Sequence, residues 1–210
     1  MSTSHSSDGQ IPVFWQWFID NATALEARTP KSEIINDLDR RVHELAEGRL
    51  AWEIGPGAER PCSLTISPGG NKSLLPLTRE IVSLAPKLPR WEIHHAKPPK
   101  DWNYIFEMQL SNSNVVTVDA RKWRYVLLRF PDFMYDVILE THGGEQLPTE
   151  DRERAGEILI EGILGEEARL TQVVSVQVLN RFDAEHDQKA GSIRFLSDHF
   201  KELSVTNTSP

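Results

Sequence analysis

Two pairs of residues have the types and spacing that acid–base chemistry asks for. Glu92 and His94 lie two apart in WEIHHAK, and Glu140 and His142 lie two apart in ETHGG. On an extended strand, residues i and i+2 leave the same face, so a carboxylate there can orient an imidazole that moves a proton. A hydrolase or transferase with a polar site drawn from Glu92, His94, Glu140 and His142 is therefore one reading of the chain. The His94-His95 step offers less. Adjacent strand residues point to opposite faces, so the two histidines cannot chelate one ion. His95 shares its parity with the apolar Trp91 and Ile93, where a hydrogen-bonded core histidine is the ordinary arrangement. His142 is followed at once by Gly143, a position that a surface polar residue at a strand end fills equally well.

The stretch SLTISPGGNKSLLP, residues 63–76, has the order of parts found in a phosphate loop. Such a loop reads G-x-x-x-x-G-K-[ST], because backbone N–H groups must wrap the phosphates while the lysine reaches them. Before Lys72-Ser73 the two framing positions hold Ile66 and Asn71 instead of glycine. The better reading of Gly69-Gly70 is a strand-to-helix reversal that needs positive φ. Asp183-Ala184-Glu185-His186-Asp187 opens like a calcium loop, but Gln188 and Arg194 stand where Gly and Glu are required. That segment is expected to be a solvated acidic loop. No G-x-S-x-G elbow is present for a serine nucleophile. No cofactor and no metal site is expected. Of the six tryptophans, Trp102 in the irregular PPKDW segment is the one expected to contact something outside the chain, while most of the others fall on or beside periodic apolar faces.

Composition narrows the classes further. The chain has 210 residues, 39% hydrophobic and 26% charged, enough for one sizeable domain or two small ones with real cores. Its formal net charge of −8 repels polyanions, so nucleic acid is not expected as a partner. No apolar run approaches the roughly 20 residues that span a bilayer, so no membrane association is expected. One cysteine, Cys62, allows no internal disulfide, which suits a cytoplasmic location.

The elements that must position these residues follow from periodicity. Apolar spacing predicts helices over 11–28, 30–47 and 73–85, a fourth from a Thr149 cap, and a fifth opened by Ser192. Thr29-Pro30 is the expected cap and first residue of the second helix, and Gly48 its stop. Alternation predicts strands in LAWEI, CSLTIS, WEIHHAK, YIFEMQL, VVTVDA, WRYVLLRF, FMYDVILE and VVSVQVL, with PDF a turn between WRYVLLRF and FMYDVILE. A tail at 1–10 and another at 205–210 are expected to be disordered. Between them lie an N-terminal ααββαβ half, 11–97, and a β-rich half with two helices, 98–204. TISPGGNK and ETHGGEQ precede helices 74 residues apart, which raises a duplicated ββαβ unit. The expected class is α+β, mainly antiparallel, with about five helices.

Four fragments together form a familiar series: F-W-x-W-F at Phe14–Phe18, I-S-x-x-G at Ile66–Gly70, A-P-x-L-P-x-W at Ala85–Trp91 with Lys97-Pro98, and L-G-E at Leu164–Glu166. Their order and spacing resemble a group of uncharacterised bacterial cytosolic proteins. The resemblance implies a bacterial α+β protein and brings no functional residues with it. With no convergent catalytic set, an acidic surface and abundant aromatics, the expected role is non-catalytic. A small binding or regulatory protein of the immunity type, with a protein partner or as a homo-oligomer, fits best.

Overall fold

The computed structural model describes residues 9–141 and 147–205, which divide into two compact units at Lys97/Pro98. In the first unit, Ile11, Phe14, Trp15, Phe18, Ala22 and Leu25 recur at helical spacing, and all six are buried along α1 (Gln10–Leu25). The Trp15 indole N–H donates to the Ile81 carbonyl at 2.8 Å, so even the polar edge of this aromatic stripe is satisfied inside the core. Helix α2 (Ser32–Leu45) buries Leu38, Val42 and Leu45 and stops where Gly48 takes φ +74°. It starts two residues later than Thr29-Pro30 suggested, with Lys31 still extended.

Strands β1 (Ala51–Gly55) and β2 (Cys62–Ser67) form an antiparallel hairpin, and β3 (Trp91–His94) lies parallel to β2 on its other side. A parallel neighbour requires a crossover, and α3 (Leu75–Ser83) supplies it. Gly69 and Gly70 hold φ +61° and +78° between β2 and a short 3₁₀ turn at Lys72–Leu74, so this double glycine is a hinge. The register places Leu64 opposite Ile93 and Ser63 opposite Glu92. One face of the sheet is thereby apolar, and Leu64, Ile66 and Trp91 join the helical core.

The second unit opens with an antiparallel pair, β4 (Ile105–Gln109) and β5 (Val115–Asp119). A four-stranded sheet follows in the order β8-β7-β6-β9, from β6 (Arg124–Arg129), β7 (Tyr135–Glu140), β8 (Val173–Leu179) and the two-residue β9 (Gly191–Ser192). Helices α4 (Thr149–Leu164) and α7 (Leu196–Val205) accompany it, and Tyr125, Tyr135, Val137, Leu139, Leu159 and Phe200 share its core. Strand β7 is antiparallel to β6 and parallel to β8, with α4 in the crossover. Both units therefore use the same ββαβ order: hairpin, helix, parallel strand. The second double glycine, Gly143-Gly144, lies outside the described residues.

The class is α+β, with four antiparallel and two parallel strand pairings among the described residues. Seven α-helices are present among the described residues, in place of about five. Gly165 at φ +83° cuts the long helix and starts α5 (Glu166–Gln172). The calcium-like acidic segment is α6 (Ala184–Lys189), because the Asp183 carboxylate accepts the His186 backbone N–H at 2.8 Å as an N-cap. Thr149 is the first helical residue of α4, and Pro148 holds the cap position. Among the described residues, no helix is long and apolar enough to cross a membrane.

Candidate functional site

Glu92 and His94 share a face of β3, and the His94 Nε2 lies 3.4 Å from the Glu92 carboxylate. Glu92 has other obligations. Its carboxylate accepts backbone N–H groups from Ala58 at 3.2 Å and from Glu59 and Arg60 at 2.5 Å each. These bonds fasten the loop between β1 and β2. The Arg60 N–H bond above all holds the Glu92 carboxyl below its ordinary value, with the other two N–H bonds and His94 adding to the effect. Gly57 makes the wrap feasible, since a Cβ there would sit 2.6 Å from Glu92 Oε1 and 2.5 Å from the Arg60 carbonyl. A carboxylate so engaged stays ionised at neutral pH and is a poor proton donor.

Glu140 is buried, opposite Arg124 in the β6–β7 register. Arg124 Nε donates to Glu140 Oε2 at 2.6 Å, and Arg124 Nη1 pairs with Asp187 of α6 at 2.7 Å. The other Glu140 oxygen accepts the Phe182 backbone N–H at 2.9 Å, while the guanidinium lies 5.5 Å from the Phe182 ring centroid. The Glu140 contact first, and Asp187 after it, raise the Arg124 pKa. This cluster joins α6 to the sheet. His142 lies outside the described residues.

Trp102, the tryptophan expected to contact something outside the chain, is half-buried. Its ring packs on Gly162 of α4 so closely that a Cβ there would lie 2.4 Å from Trp102 Cζ2. Tyr104 and Phe106 flank it at 6.3 and 5.5 Å between centroids, and the Lys100 ammonium sits 5.6 Å from the ring centre.

The structure adds two features that the sequence did not single out. In the first unit, Leu25, Ile54, Pro61, Cys62 and Trp91 line a mostly apolar cleft of about 370 Å³. Glu26 at its rim accepts from Arg90 Nε at 2.7 Å and from the Trp91 indole at 3.2 Å. Burial, and after it the Glu26 charge, push the Cys62 thiol up, so it keeps its proton and lacks the thiolate that nucleophilic chemistry uses.

The second feature is the β6–β7 hairpin tip, LRFPDFM. Phe130 N donates to the Met134 carbonyl at 2.9 Å, Phe133 N to the Phe130 carbonyl at 3.0 Å, and Met134 N to Asp132 Oδ1 at 3.3 Å. This closure exposes Leu128, Phe130 and Phe133, and Phe133 is 49% exposed. Phe133 also takes φ +63°, a conformation a bulky residue rarely adopts. The Arg129 guanidinium stacks 4.8 Å from its ring centre. The signal was present in the sequence: a turn rich in phenylalanine has no local place to bury it.

No protein-family model matches the chain, and no curated protein or solved structure matches it either.

Proposed function

We propose that the chain is a non-catalytic binding or regulatory protein that engages a protein partner through the β6–β7 hairpin tip. The carrying observation is the strained, half-exposed Phe133 beneath the Arg129 guanidinium, with Phe130 and Leu128 exposed beside it. Aromatic and arginine side chains dominate the energetics of protein interfaces, and positive φ at a bulky residue persists where the surrounding structure enforces it, often at functional sites. The net charge of −8 favours a partner with a neutral or basic surface. The polar residues that an enzyme would use are committed elsewhere: Glu92 to three backbone N–H groups and Glu140 to Arg124.

A photo-cross-linking amino acid at Phe130 tests this in living cells, with the same group at exposed Glu107 as control. A discrete adduct to one protein is expected from position 130 and not from position 107. Adding Phe133→Asn, which tolerates the left-handed backbone, should abolish the adduct while leaving the melting temperature unchanged or higher. Equal labelling from both positions, or an adduct indifferent to Phe133→Asn, would refute the reading.

A further inference from the structure

We propose that β8 is a self-pairing edge: residues 175–179 add antiparallel to the same residues of a second copy of this chain, about a two-fold axis at Gln177. The sheet order leaves β8 outermost, with β7 its only strand partner among the described residues. Sheet edges are ordinarily defended by charge, proline or a bulge. The β8 sequence, VVSVQVL, contains neither proline nor charge. Every other strand longer than two residues carries a charged side chain except β2, and β2 is enclosed between β1 and β3. The uncharged edge stands out in a chain of which 26% is charged.

One defence is present, and it marks where pairing begins. Val173 is opposite Tyr135 and Ser175 opposite Asp136, so Val174 is the extra residue of a bulge. Beyond it, residues 175–179 run in unbroken register with residues 136–140. An antiparallel pair centred on Gln177 sets Val176 against Val178 and Ser175 against Leu179 across the seam. Gln177 meets its own copy, and an amide, being both donor and acceptor, can pair with itself. A charge at that position would face its own like charge, which is the physical reason the residue on the axis of such a pair is uncharged. Strand addition takes its affinity from backbone hydrogen bonds whatever the partner, and the Val176–Val178 and Gln177–Gln177 pairings are what favour a second copy here. Leu179, 36% exposed, is apolar surface that such a pair would cover. This contact is separate from the hairpin tip, so its failure would leave the partner reading standing.

Sedimentation velocity on the full chain is expected to show a dimer that dissociates on dilution. Gln177 is exposed, so Gln177→Lys should melt like the wild type yet weaken the dimer roughly tenfold or more. In a Cys62→Ser background, Gln177→Cys should oxidise to a covalent dimer, whereas Ser175→Cys should not, because it faces Leu179 and not itself. A wild-type chain that stays monomeric at about 100 µM, a value well above useful dimer affinities, overturns the proposal. So does a Gln177→Lys dimer as tight as wild type, or equal cross-linking from both cysteine positions.

Discussion

Glu92 carries its charge for the benefit of a loop 32 to 34 residues away in sequence. Because the folded pKa is depressed, the stability it contributes is present above the ordinary carboxylate value of 4.5 and is lost as pH falls through the folded value. Thermal melts between about pH 3 and 7 should therefore show a wild-type decline below 4.5 that Glu92→Gln flattens; parallel curves would remove the loop-fastening role. Arg124 makes a different case, since its partner Glu140 is 3% exposed and Arg124 itself only 31%. Arg124→Met should cost about 3 kcal/mol, the low end for stranding a buried charge, in urea denaturation. The same change in a Glu140→Gln background should cost clearly less. Equal losses would mean that the two residues are not coupled.

At the scale of elements, the hinge before α3 separates backbone strain from packing. Gly70 has φ +78° with open space around its missing Cβ, so Gly70→Ala suffers only from the left-handed conformation. It should destabilise by about 1–2 kcal/mol. Gly55, also in open space but without positive φ, is the control. Gly55→Ala should be neutral or slightly stabilising when compared by the same denaturation series. The elements themselves were unevenly legible. Long apolar stripes gave α1 and α2 directly, and strand parity separated Trp91 and Ile93 from Glu92 and His94, because both are local periodicities. The division of α4 from α5 rests on one glycine adopting φ +83°, and α6 on one aspartate turning its side chain back to a backbone N–H. Neither choice shows in hydrophobic pattern.

For the whole molecule, the first core runs from Ile11 to Trp91 and the second from Met108 to Phe200, and the two share no residue. A unit with its own core can fold alone. Segments 1–97 and 98–210, produced separately, should each unfold cooperatively and give a near-ultraviolet dichroism signal from their buried tryptophans, Trp15 and Trp91 in one and Trp123 in the other. A segment without a cooperative transition would show that its core is insufficient.

Sequence alone determined which faces are apolar, where the first double glycine bends the chain and that the class is α+β, since each depends on residues within a few positions of one another. Tertiary structure decided what the candidate site residues do. The partner of Glu92 is a distant loop backbone, that of Glu140 an arginine across a hairpin, and that of Trp102 a glycine 60 positions on. Strand order, too, belongs to the fold: β2 and β8 are equally uncharged, and only pairing shows that one lies between two strands and the other at the sheet's edge. A side chain's type fixes the bonds it can make, while the group that takes them up is set by how far-apart segments are packed together.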